Sequence, residues 1–214
     1  MSSALLESVL SELPSFPLRA AARVEELGAS AIAEEARSFG LLALLAHYLP
    51  AQFPLAKGEE MSLRFNSARL LRGTRETLAR LADAGIPAVA LKGVPLAARF
   101  YPEPWLRPSS DVDILVRPQD LERGTALMRS LGYHEVQGPP ESVFDFYHHC
   151  TFVGPMQLMV ELHFTPACGF QSEFDVDALL ERAEKVRIGD AEIPVLALSK
   201  AAGIRRARPT ESAL

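Results

Sequence analysis

The stretch RPSSDVDILVRPQD, from Arg107 to Asp120, sets two aspartates one residue apart inside a run that otherwise reads as a buried strand. Side chains on a strand alternate faces, so Asp111, Asp113 and Leu115 share one side and Val112, Ile114 and Val116 the other. Two carboxylates side by side repel each other, and burial penalises both unless a cation lies between them. Oxygen-rich clusters of this kind are what a hard divalent ion such as Mg²⁺ prefers. Taken alone, the pair also admits a plainer account, with Asp111 capping a turn after Ser109-Ser110 and Asp113 solvated on an edge strand.

A third carboxylate shifts the balance. In QLMVELHF, Glu161 interrupts an apolar run and shares its face with Met159 and His163. An acid in the middle of a buried strand is costly unless it is paired or bound to metal. If this strand lies beside DVDILV, three carboxylates converge, and acids gathered around divalent ions are the machinery of phosphoryl and nucleotidyl transfer. Such chemistry needs a phosphate site, and LKGVP offers one: Lys92-Gly93 follows a predicted strand and opens a predicted helix, combining close backbone approach with a point charge. On its own this motif is equally a turn glycine beside a solvated lysine.

Outward from this centre the pattern changes character. Up to about Gly85 the apolar residues fall at helical spacing, among them Leu5, Val9 and Leu10, then Ile32, Ala36, Leu41, Leu42, Leu44 and Leu45, with prolines at 14, 17, 50 and 54 as breaks. One long helix is predicted from about Glu59 to Ala84, stopped by Gly85. IPAVALKG reads as a buried strand, residues Pro95 to Phe100 as a two-turn helix, and Gln119 to Leu131 as an amphipathic helix ending at Gly132. A strand begins in GYHEV. FDFYHHCTFV and QLMVELHF form an antiparallel hairpin turning at Gly154-Pro155, and KVRIGDAEIPVLAL forms another turning at Gly189-Asp190 after a short helix, Val176 to Ala183. Helices and strands that alternate this way, with a hairpin added, indicate an α/β or α+β sheet domain after a helical N-terminal region.

The chain has 214 residues, 48% of them apolar, enough for a real core. Its net charge of −5 argues against a broad basic surface gripping long nucleic acid by its phosphates. Cys150 and Cys168 form no metal-type pair and no disulfide framework, which suits a reducing cytoplasm, although a bridge between them stays open. No secretion signal opens the chain and no apolar run approaches the ~20 residues of a membrane helix. The expectation is a cytoplasmic protein with no membrane association.

The order LKG (Leu91 to Gly93), FYPEPWLRPSSDVDILV (Phe100 to Val116), a helix ending at LGY (Leu131 to Tyr133) and VELHF (Val160 to Phe164) resembles the uncharacterised nucleotidyltransferase family of the polymerase-beta-like superfamily. The likeness covers roughly residues 65 to 198. It implies an α+β fold, with a nucleotidyltransferase α/β domain on a mixed sheet over residues 85–198, after a helical region over 1–84, and a loose tail over 199–214. By position, Asp111 and Asp113 resemble the metal-binding pair, and Glu161 the third acid, a ligand or the base for the acceptor hydroxyl. Lys92 and Gly93 resemble the phosphate loop, with Arg107 and Ser110 as further phosphate contacts; Tyr101 and Trp105 flank a base or simply pack.

The resemblance implies an enzyme that uses Mg²⁺ (or Mn²⁺) to move a nucleoside monophosphate from an NTP to an acceptor, a small molecule or a protein. Departures are visible. Val94 follows Gly93 where the superfamily usually has a second Gly or a Ser, and 17 residues separate Gly93 from Asp111. After VLALS the chain turns into KAAGIRRARPTESAL rather than a helical region with histidines, so it looks truncated or frame-altered. That favours an alternative: a catalytically inactive binding module or antitoxin-like partner protein, docking through its N-terminal helices. A zinc site built from His148, His149, Cys150, His163 and Cys168 is disfavoured, because neighbouring His148 and His149 would point to opposite faces of a strand. His163 reads as a partner on the Glu161 face or a satisfied core histidine. Asp113→Asn is expected to abolish activity and, without metal, to leave the fold as stable or more so, because a repulsive charge is removed.

Overall fold

The computed structural model describes residues 16–137, 148–166, 172–197 and 204–206. The expected helix around Leu5, Val9 and Leu10, the FDFY of FDFYHHCTFV (Phe144 to Tyr147), Cys168 and most of the tail lie outside the described residues. The chain divides into two compact units. One comprises Met1–Leu71 and Leu96–Ser109, the other Arg72–Pro95 and Ser110–Leu214.

In the first unit, α1 (Phe16–Leu27), α2 (Ala29–Ser38) and α3 (Leu42–Tyr48) follow one another closely. Gly28 and Gly40 make the two connections at positive φ, 86° and 67°, which only glycine adopts at no steric cost. The apolar positions of the helical pattern form the core: Ile32, Ala36, Leu44 and Leu45 are fully buried, and Trp105 and Leu106 from a 3₁₀ turn at Pro104–Leu106 join them. The long helix α4 (Lys57–Asp83) contributes to both units. Glu59 and Glu60 in its first turn and Arg80 in its last complement the helix dipole, and Gly85 at φ 67° ends it as expected.

The second unit is built on a mixed sheet. Its strands are β1 (Ala88–Ala90), β2 (Asp111–Val116), β3 (His134–Gln137), β4 (His149–Val153), β5 (Met159–His163), β7 (Glu184–Ile188) and β8 (Ala191–Val195). Their order is β3-β4-β5-β2-β1-β8-β7. The β5/β2 and β1/β8 neighbours are parallel and the others antiparallel. Both expected hairpins form, β4-β5 and β7-β8. In the first, the turn at Pro155–Gln157 holds Met156 and Gln157 at φ 56°. A short strand, β6 (Ser172–Phe174), pairs with β9 (Ile204–Arg206) from within the expected loose tail.

Helix α5 (Val94–Phe100) passes from this unit into the first after Pro95, and α6 (Leu121–Ser130) and α7 (Val176–Glu181) belong to the second. Asp175 caps α7 by accepting the Ala178 amide at 3.0 Å. Gly124 lets α6 lie close to β5, since a Cβ there would sit 3.3 Å from the Leu162 side chain. On one face Val89, Leu115, Val176 and Leu179 form a buried apolar cluster. The result is a mixed α+β protein, with a helical N-terminal region ahead of a mixed sheet.

Candidate active site

Strand β2 runs parallel to β5 with Asp111 opposite Met159, Asp113 opposite Glu161 and Leu115 opposite His163. Residues opposite each other on paired strands share a face, so two acids from segments far apart in sequence meet there, as the sequence pattern anticipates. Strand β4 extends the same face from the other side of β5, because His149 lies opposite His163 and Thr151 opposite Glu161.

The centre of the cluster is His163, which is 1% exposed. Its Nε2 lies 3.0 Å from Asp113 Oδ1 and 3.2 Å from Glu161 Oε2, bridging the two acids. Lys92 approaches from the bend after β1, with Nζ 3.0 Å from the same Asp113 oxygen. His149 Nε2 lies 3.6 Å from Glu161 Oε1. Asp113 Oδ2 is buried with no hydrogen-bond partner among the described residues.

The electrostatics follow from these contacts. The His163 hydrogen bond, reinforced by the charges of His149, His163 and Lys92, outweighs burial and holds Glu161 at about 2, well under the usual carboxylate range. Burial alone would lower His163, but its hydrogen bonds to Asp113 and Glu161 prevail and raise it. The same contest raises Lys92, where burial is outweighed by Asp113, with Asp111 and Glu161 adding to it. Burial lowers His148 and His149, aided in both by the charges of His163 and Lys92, and for His148 by that of His149, while Glu161 opposes the shift in both.

Among the described residues, two groups of side chains present ligand atoms close enough together to hold a metal ion: Asp113, Glu161 and His163, and His148, His149 and His163. Asp111 belongs to neither group as placed; it lies on the Asp113 face, two residues earlier, and its charge acts on Lys92. Ser110 immediately precedes β2, and Gly93 follows Lys92 at φ 72°, where a side chain would be strained. Arg107 belongs to the other unit, where its guanidinium acts on Tyr101. There Trp105 is a core residue with the Arg64 guanidinium 4.3 Å above its ring, so packing is its role. Asn66 donates to the Ser109 carbonyl at 2.8 Å and pins the loop ahead of β2, a contact no sequence motif announced.

Two expectations need correction. His148 and His149 do not diverge: β4 starts at His149, so His148 is free of strand alternation and its ring comes within 4.3 Å of its neighbour's, centroid to centroid. Asp113 is not an uncompensated repulsive charge in the absence of metal, because Lys92 and His163 both contact its Oδ1. The register supplied both facts. The hairpin register is centred on Met156, with Val153 opposite Met159, so counting outward from Gly154-Pro155 would have paired His149 with Val160 and missed the contact.

A family model described as "Uncharacterised nucleotidyltransferase" matches residues 21–201. No match was found among curated proteins. Among solved structures, the chain is similar to the lincomycin-bound lincosamide antibiotic adenylyltransferase LnuA, at 11% identity and a TM-score of 0.39. The similarity covers 56% of this chain and 75% of that one.

Proposed function

We propose that the chain, which belongs to the uncharacterised nucleotidyltransferase family, transfers a nucleoside monophosphate from an NTP to a hydroxyl of an acceptor. The hydroxyl oxygen attacks the α-phosphorus, the bond to the β,γ-pyrophosphate breaks, and the hydroxyl proton departs to solvent or a base. The observation that carries this reading is the direct pairing of Asp113 with Glu161 across β2 and β5.

The donor set suits a hard divalent cation. Asp113 presents a buried oxygen with no hydrogen-bond partner among the described residues, Glu161 faces it, and Asp111 extends the same face. Asp111, Asp113 and Glu161 would hold Mg²⁺ or Mn²⁺, which when bound supplies a Lewis acid for the hydroxyl and countercharge for the triphosphate. Held near 2, the Glu161 carboxylate is ionised throughout the neutral range and is a weak base. A general base works best with a pKa near the operating pH, so Glu161 serves as a ligand and not as the proton acceptor. Lys92, poised beside Asp113, and Gly93 form the phosphate loop, with Ser110 as a further phosphate contact.

The test is a thermal-shift panel of wild type and Asp111→Asn/Asp113→Asn against ATP, CTP, GTP and UTP, with and without Mg²⁺. A nucleotide at a hundred times its dissociation constant stabilises the folded state by about 2.7 kcal/mol. A Mg²⁺-dependent shift with one nucleotide, lost in the double variant, supports the site and identifies the donor. No shift with any of them turns the assignment to the inactive binding module.

A further inference from the structure

The three histidines His148, His149 and His163 are not used by the carboxylate chemistry in its minimal form, yet they converge. Their ring centroids lie 4.3, 5.3 and 5.0 Å apart, and one ring nitrogen from each falls within 4.8 Å of the others. The rings are steeply inclined to one another, at 86°, 50° and 42°, so this is not a stack of imidazoles held by their faces. A second observation bears on what the cluster is for. His149 and His163 each keep a buried Nδ1 with no hydrogen-bond partner among the described residues. Buried polar atoms are nearly always partnered, and an orphan costs free energy that a ligand would recover.

We propose that His148, His149 and His163 form a nitrogen-rich site for a borderline divalent transition cation, Zn²⁺ or a close congener, beside the carboxylate position and overlapping it at His163. Imidazole suits Zn²⁺ and its neighbours, whereas Mg²⁺ takes oxygen ligands, so the two donor groups on one sheet face discriminate between cations by chemistry. Tetrahedral zinc with three histidines keeps a fourth position, and Glu161 stands 3.6 Å from His149 Nε2, near enough to supply it. His163 belongs to both groups. An ion at the histidine position therefore competes for the residue that bridges Asp113 and Glu161, and borderline cations act on the carboxylate site as antagonists. The site stands whether or not the chain transfers nucleotides.

The test uses the full chain, stripped with chelator and titrated with Co²⁺ alone as the spectroscopic probe, then with Zn²⁺ in competition. The expected result is one equivalent of Co²⁺ with a visible ligand-field band that Zn²⁺ bleaches. Losing an outer partner of a metal ligand already costs ~10–100-fold in affinity, so His148→Ala and His149→Gln should each weaken binding by about 100-fold or more. His149→Gln preserves volume within the strand, and His148→Ala lies outside it, so a folding defect in one does not silence the other. In the unmutated protein, Zn²⁺ should protect His148 and His149 from acylation by diethylpyrocarbonate. Full-affinity binding in both histidine variants with loss in Glu161→Gln places the ion among the carboxylates and overturns the proposal while sparing the nucleotidyltransferase reading. Absence of Co²⁺ and Zn²⁺ binding overturns it as well.

Discussion

Replacing Asp113 with Asn should destabilise the metal-free protein, the opposite of what two neighbouring acids suggest on paper. Its Oδ1 lies 3.0 Å from both Lys92 Nζ and His163 Nε2, and the Asp113 side chain is wholly buried. Removing one member of a buried ion pair typically costs about 3–5 kcal/mol, because the partner's charge is left uncompensated. Three effects reduce that figure here. An Asn oxygen still accepts one hydrogen bond, Lys92 is half exposed and turns to water, and the repulsion from Glu161 is relieved. The net loss is about 2 kcal/mol, which for a chain of this size lowers Tm by ~4–8 °C. Urea denaturation with chelator present, at about pH 6 and again at about pH 9, measures it. The difference should be largest at the lower pH, where His163 is protonated, and shrink at the higher. A variant as stable as wild type, or more stable, in metal-free buffer near pH 6 would refute the pairing and restore the picture of two repelling acids.

The pH dependence of wild-type stability follows from the same contacts. His163 is raised from 6.5, so its contribution is complete below that value and lost as pH rises through the folded one. Glu161 is lowered from 4.5 to about 2, so its contribution is complete above 4.5 and lost as pH falls toward 2. Metal-free stability should therefore peak between those limits, with the acid limb worth no more than ~2 kcal/mol after solvent screening; a monotonic rise in the urea midpoint from pH 5 to 8 would contradict the assignment. Gly93→Ala places a Cβ at φ 72° and should cost about 1 kcal/mol in stability while weakening the NTP-dependent thermal shift. Equal shifts for variant and wild type would exclude Gly93 from the phosphate loop. Cys150 is buried and its thiol is pushed up to about 11, chiefly by burial, so alkylation mapped by mass spectrometry should leave it unmodified at pH 8 until the protein is unfolded.

Much of this protein is legible from local rules. The period-2 alternation of DVDILV, the turn residues at Gly154-Pro155 and Gly189-Asp190, and Gly85 after a long helical pattern each carry their structure within a few residues. Together with the LKG and VELHF motifs, they led from sequence alone to a nucleotidyltransferase and to three acids worth naming. The unread part is non-local. Asp113 and His163 are 50 residues apart and touch only because β5 chose β2 as its parallel neighbour in one register of several. A shift by one residue would have turned Glu161 and His163 to the opposite face.

Local pattern also misjudged charge and direction. The sequence indicates that two acids share a face but cannot indicate that Lys92 and His163 neutralise them, since electrostatic partners are selected by distance in space. Nor can it indicate that β4 begins at His149, one residue too late for His148 to obey alternation. Composition, periodicity and turn chemistry determined the elements and the chemical character of the site, because each is set by a residue and its near neighbours. Strand order and register decided which groups meet and which remain ionised, because those depend on contacts that exist only after the chain has folded.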